Sequence, residues 1–152
     1  MKQERYNPNR IVVRYTTDNC SVKEPVYSSQ EAAGADISST MQTTLAPGEH
    51  KVVTTGVYLE LSPGFVGYVH ARSGMAANHG VTVLNGTGVI DSDYRGELKV
   101  ILINHGKKEY AINTGDRIAQ LIIVPSCQAI FVRSDKIDET DRGQGGLGST
   151  GT

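Results

Sequence analysis

The sequence predicts an all-β protein, a sandwich, jelly roll or barrel, and three observations carry that expectation. Short runs rich in β-branched and aromatic residues recur along the chain, for example at 65–70 and 98–103, and such residues suit a pleated, half-buried surface. Glycine and proline pairs such as Pro47-Gly48 and Pro63-Gly64 separate the runs as turns. Apolar residues almost never recur at helical spacing, and the crossover helices of a doubly wound sheet are missing.

Taken in order, residues 1–10 are polar and contain Pro8, and they lead into a short strand at 11–15. Residues 16–35 mix polar and small side chains around Pro25, which gives an irregular connection with room for a strand around Val26. Asp36-Ile37-Ser38 begins another ordered piece, and residues 45–49 form a turn on Pro47-Gly48. From 51 to 61 the chain is rich in Val, Thr and Tyr and reads as a strand, with Gly56 as a bulge. The run 65–70 follows the turn at Pro63-Gly64, and Met75-Ala76-Ala77-Asn78-His79 is the one place for a short helical turn, closed by Gly80. Further strands are expected at 81–84, 98–103, 109–112, 118–124 and 128–133. Beyond Arg133 the chain turns charged and then glycine-rich, with Leu147 the last large apolar residue. Such a segment cannot build a core of its own. The expected organisation is therefore a β domain over 1–133, with a variable N-terminal lead, and a flexible C-terminal arm over 134–152.

A chain of 152 residues suits one domain with a usable hydrophobic core. Lys plus Arg number 15 against 16 Asp plus Glu, so the net charge of -1 offers no broad attraction for a polynucleotide or an anionic membrane. A small anion held by a few arginines stays open. Cys20 and Cys127 lack the CxxC spacing of a metal or redox pair, and two free thiols in an intracellular protein are the simpler reading. The polar N-terminus suggests no signal peptide, and no apolar run approaches the roughly 20 residues of a membrane span. A cytoplasmic or other intracellular soluble compartment is expected.

The chemistry concentrates in residues 88–97, which lie between the apolar runs 81–84 and 98–103. Glycines at 86, 88 and 96 permit sharp turns and close backbone approach, and Asp91, Asp93, Tyr94 and Arg95 lie among them. Two strands with this insert make a hairpin able to hold a small ligand. Arg72-Ser73-Gly74 offers a guanidinium fork, a hydroxyl and accessible amides to an anion. Gln120 is a polar side chain in an apolar strand, and Arg142, Ser149 and Thr150 add donors from the arm. No GxxxxGK[ST] loop, HExxH or GxSxG is present, and no GxGxxG follows an early strand as a dinucleotide site requires. A phosphoanhydride is cut by water when a carboxylate deprotonates it and cations neutralise the developing charge. Of Asp91 and Asp93, one could be that base and the other structural, while Asp36 could help hold hydrated Mg²⁺. Hydrolysis of a nucleotide or another polyphosphate ester fits these residues.

Five segments, followed in order over about 31–151, resemble the motifs of the homotrimeric dUTP pyrophosphatase (dUTPase) family. They are Ala33-Gly34-Ala35-Asp36-Ile37; Arg72-Ser73-Gly74-Met75-Ala76; the stretch from Asn85 through Gly88, Ile90, Asp91 and Tyr94 to Glu97; Gly115 through Gln120 to Ile122; and Arg142 through Leu147, Gly148, Ser149 and Thr150 to Gly151. The resemblance implies a jelly-roll-like β-clip fold with at most one short helix, assembled as a homotrimer with active sites shared between subunits. It implies hydrolysis of dUTP to dUMP and pyrophosphate, which limits uracil incorporation into DNA. Asp91 would be the general base. Asn85, Gly88 and the backbone near Ile90 would read uracil, and Tyr94 would pack beneath the deoxyribose and leave no room for a 2′-hydroxyl. Arg72, Ser73, Gly74 and Gln120 would meet the phosphates, and Asp36 would reach Mg²⁺ through water. From the arm, Arg142, Gly148, Ser149 and Thr150 would close on the phosphate tail while Leu147 covers the base.

The chain departs from the family at Leu147, where phenylalanine is usual, at Ala71, where proline is common, and at Ala77-Asn78-His79, where a lysine often occurs. Two other readings stand beside this one: a dCTP deaminase of the related fold, and a nucleotide-sensing trimer without turnover. The deaminase must release ammonia from C4, and the Asp91 and Tyr94 context together with the glycine-rich arm favours hydrolysis.

Overall fold

The computed structural model describes residues 10–146, and its strands form two main antiparallel sheets and two short strand pairs. One main sheet has four strands in the order β2 (Ala35–Ser38), β11 (Arg117–Pro125), β6 (Phe65–His70) and β8 (Gly88–Ile90). The other has three, β4 (His50–Val53), β9 (Val100–Asn104) and β7 (Val81–Val83). Two smaller pairs join β1 (Arg14–Thr17) to β5 (Val57–Glu60) and β3 (Thr43–Leu45) to β10 (Tyr110–Ile112). The protein is thus all-β, with one short helix, α1 (Ser73–His79), among the described residues.

The core follows from alternation along these strands. In β9, Val100, Leu102 and Asn104 are buried while Ile101 and Ile103 are half-buried, the two-residue period of a strand with one face inward. Ile37, Val69, Ala119 and Leu121 from the four-stranded sheet join Val53, Val81, Val83, Val100 and Leu102 in one cluster. Met75 is the buried residue of α1. The helix stops at Gly80, whose φ of 70° is left-handed and whose N–H bonds back to Ala76 O at 3.0 Å, the common helix ending that glycine serves best. The buried polar Asn104 is satisfied: its amide nitrogen donates to Leu45 O and Lys108 O, both at 2.8 Å, and its oxygen accepts from Gly106 N.

The expected hairpin forms, with Val81 opposite Asn104 and Val83 opposite Leu102. Its insert does more than turn. Residues 88–90 leave the three-stranded sheet and add an edge strand to the four-stranded one, with Gly88 opposite Val69 and Ile90 opposite Gly67. The region carrying Asp91 is therefore attached to both sheets.

Four expectations change. The strand read over 51–61 is two strands in different sheets, because Gly56 has a φ of 64° and makes a corner rather than a bulge. The first strand lies at Arg14–Thr17 rather than 11–15, set by its register against β5, and Val26 makes only an isolated bridge to Asp36. The strand expected over 128–133 is absent: Ile130, Phe131 and Val132 are 91%, 95% and 82% exposed. Their composition suits a strand, but a strand also needs a hydrogen-bonding neighbour, and the described residues of the chain provide none there.

Candidate active site

The insert between β7 and β9 builds one half of the site. At Gly88 an added Cβ would sit 3.1 Å from Val69 Cβ, so the bare backbone lets β8 pack closely on β6, with the Asn85 amide nitrogen at ordinary contact distance, 3.7 Å from the same position. After Ile90 the chain makes a tight turn in which Tyr94 N donates to Asp91 O at 3.2 Å. Arg95 Nη1 closes that turn by donating to Ser92 O at 2.7 Å and Tyr94 O at 3.0 Å. The turn keeps Asp91 and Asp93 off a common strand face, and both are exposed. Tyr94 is 45% exposed, and its hydroxyl donates to Glu97 O at 3.1 Å. Glu97 in turn grips the β4–β5 corner, where its Oε1 accepts from Thr55 N at 3.0 Å and Gly56 N at 2.9 Å.

The other half is a charged cluster at the opposite edge of the four-stranded sheet. Asp36, 5% exposed, is held by Arg72 Nε at 3.2 Å, Arg117 Nη1 at 2.9 Å and Ser28 Oγ at 2.5 Å. Arg72 also donates through Nη1 to Arg117 O at 3.1 Å, so two of its donors are committed to orienting it. Burial pushes the Asp36 carboxyl up. The Ser28 hydroxyl and the Arg117 and Arg72 charges outweigh burial and hold the pKa below the ordinary carboxylate value. Gln120 lies between Asp36 on β2 and His70 on β6 in register, and Gly34 leaves room for it, since a Cβ there would come within 3.1 Å of Gln120 Cβ. Ser73 and Gly74 are exposed at the start of α1, directly after Arg72.

Among the described residues no three His, Cys, Asp or Glu side chains converge on a metal-sized site. Asp36 nevertheless suits a hydrated ion. Among the described residues its Oδ1 accepts only from Arg72, leaving a lone pair for a metal-bound water, while the two guanidinium groups oppose direct ligation. Mg²⁺ commonly retains waters and uses one or two carboxylates together with substrate phosphates.

One chain does not bring the two halves together. Asp91 follows Ile90, which lies opposite Gly67, whereas Arg72 lies beyond His70 at the other end of β6. The three steps from Gly67 to His70 alone span about 10 Å. Arg142 lies apart from both, in an exposed turn where its Nε donates to Gly145 O at 2.9 Å. Leu147, Gly148, Ser149 and Thr150 fall outside the described residues.

Ser28, Arg117 and Glu97 each touch a site residue and are not singled out by the sequence; Gly96, singled out only as a turn glycine, lies against Tyr94. Arg117 stands three residues before Gln120 at the first position of β11, just after a turn, which is a weak signal. Its contact with Asp36 depends on strand register.

The dUTPase family model matches residues 21–151 of the chain. The chain belongs to the dUTPase family. It is 45% identical to the deoxyuridine 5'-triphosphate nucleotidohydrolase of Methylocella silvestris, over 95% of this chain and 92% of that one. The enzyme of the same name from Maricaulis maris is also 45% identical, over 84% of this chain and 87% of the relative. Among solved structures, the Staphylococcus bacteriophage 80alpha dUTPase with dUPNHPP superposes with a TM-score of 0.85 at 25% identity, covering 93% of this chain and 99% of that one. A mutant dUTPase from phage phi11 of S. aureus, described with a structural Mg(II) ion, shares the fold with a TM-score of 0.76 at 24% identity, covering 83% of this chain and 98% of that one. The dUTPase assignment thus spans both halves of the site and the arm.

Proposed function

We propose that the chain hydrolyses dUTP to dUMP and pyrophosphate, and so limits uracil incorporation into DNA, with Asp91 aligning and deprotonating a water for attack on the α-phosphorus. The observation that carries this reading is the placement of Asp91: a solvent-exposed carboxylate on a turn fixed to both sheets, three residues from a half-exposed tyrosine ring. A base must reach water and stay fixed relative to the bound nucleotide. Asn85, Gly88 and the backbone at Ile90 read the uracil edge, and the Tyr94 ring forms the floor under the deoxyribose. A ring packed that closely rejects a ribose, whose extra hydroxyl would have neither space nor a partner.

Arg72, Ser73, Gly74 and Gln120 bind the triphosphate, and the separation of this cluster from Asp91 within one chain favours a site completed by another copy. A homotrimer with shared active sites satisfies that requirement. The exposed Ile130-Phe131-Val132 run supports the same assembly, because apolar side chains left in water gain by docking on a neighbour. The arm then brings Arg142, Gly148, Ser149 and Thr150 to the phosphates and Leu147 over the base, excluding bulk water. Asp36 would hold a hydrated Mg²⁺ through water, and the ion would supply charge neutralisation for the triphosphate.

The test is a panel of dUTP, dTTP, dCTP and UTP incubated with Mg²⁺ and the full chain. Pyrophosphate release is expected from dUTP and at most weakly from the others. Ammonia from dCTP, or equal turnover of UTP and dUTP, overturns the reading.

A further inference from the structure

We propose that Gly96 is a positioning residue for sugar selection: its missing side chain is the space into which the Tyr94 ring folds. This rests on the reading of Tyr94 as the floor beneath the deoxyribose. A Cβ built on Gly96 would lie 2.5 Å from Tyr94 Cζ, 2.9 Å from Cε2 and closer still to the hydroxyl oxygen. Real Cβ atoms do not approach other atoms so closely, so an alanine here must displace the ring.

Conformation does not explain this glycine. Gly86, in the same insert, has a φ of 69° and open space around its Cβ position, so it serves the backbone. Gly96 is the reverse case: its φ is not left-handed, and its Cβ position is filled. Alanine is therefore acceptable to the backbone at 96 and unacceptable to the ring.

The backbone beneath the ring has little freedom to absorb the clash. The Tyr94 hydroxyl donates to Glu97 O, and Glu97 is fixed by its bonds to Thr55 N and Gly56 N and by a β-bridge to Tyr58. The ring is the movable partner, being 45% exposed and held at its tip by one hydrogen bond. An alanine at 96 swings it off Glu97 O and changes the surface that the sugar meets.

The test measures kcat/KM for dUTP and UTP with the full chain and Mg²⁺ in four proteins: wild type, Gly96→Ala, Tyr94→Ala and the double variant. Gly96→Ala is expected to raise KM for dUTP and to lower the dUTP-to-UTP ratio by roughly tenfold or more, since small misplacements at a site carry effects of this size. In the Tyr94→Ala background, where no ring remains to displace, adding Gly96→Ala should change either kcat/KM by less than about twofold. A merely structural glycine would instead give effects that multiply in the double variant, and that result overturns the proposal. Should Gly96→Ala fail to fold, recovery of folding in the double variant supports a clash with the ring, and failure of both overturns it. Gly96→Ala with the wild-type ratio, beside a Tyr94→Ala that loses it, overturns this proposal alone. A Tyr94→Ala that keeps the wild-type ratio overturns the sugar-floor reading and this proposal with it.

Discussion

Asp91 and Asp36 are both carboxylates that the sequence singled out, and the molecule surrounds them in opposite ways. Asp91 is exposed on a turn whose hydrogen bonds are made by backbone groups and by Arg95, which leaves its own carboxylate to meet solvent. Asp36 is buried beneath two arginines and a serine, and its charge is largely answered inside the chain. The contrast separates two tasks. A group that handles a proton is held by its backbone and kept available, whereas a group that organises cations for a polyanion is fixed by its own side-chain bonds.

The sharpest way to break this comparison is Asp91→Asn. Hydrolysis of dUTP should fall about 10²- to 10⁴-fold, the usual share of a general base, while a non-hydrolysable dUTP analogue binds within a few-fold of wild type. Near-normal turnover would remove Asp91 from the chemistry.

Next in size is Arg117→Met, which takes one of the two cations from a buried carboxylate. Breaking a fully buried pair costs about 3–5 kcal/mol. With the Arg117 side chain 51% exposed, a loss of about 1–3 kcal/mol in urea unfolding is expected. Binding of a dUTP analogue should weaken as well, because Arg72 is oriented through the same carboxylate. A variant as stable as wild type would make the cluster incidental.

A pH series sharpens the point with a smaller effect. Asp36 has a depressed folded pKa, so its contribution is complete above the unfolded value of 3.8 and is lost as pH falls through the lower folded value. The stability advantage of wild type over Asp36→Asn should hold from neutral pH to about 4 and shrink below that. A gap that is constant down to pH 2 would contradict the ion-pair account. Smallest of all, Leu147→Phe should lower KM for dUTP by about two- to tenfold, the range of an added aromatic stacking contact. An unchanged KM would show that an aliphatic cover serves this site equally well.

Much of this architecture could be read from residue order. The run 65–70, the helical turn ending at Gly80, and the hairpin around 88–97 all announce themselves through local composition and stand where expected. Gly56 shows where local reading stops. A glycine inside a β-branched run suits a bulge or a corner equally, and only the partners of the flanking strands decide between them. The Asp36–Arg117 pair spans 81 positions and follows from register across β2 and β11. The 128–133 run stays out of the sheets for a related reason: its composition suits a strand, but the described residues offer it no partner.

The order of strands has its own consequence for synthesis. β11, which lies between β2 and β6 in the four-stranded sheet, is the last of the described strands to be made. Until it leaves the ribosome, its two neighbours each display an unpaired edge, a state open to mispairing with other nascent chains. Completing the sheet is then a late closure between segments about 80 residues apart, which makes for slow folding. A stop codon just after Pro125 leaves the sheet whole, while one ten residues earlier removes its middle.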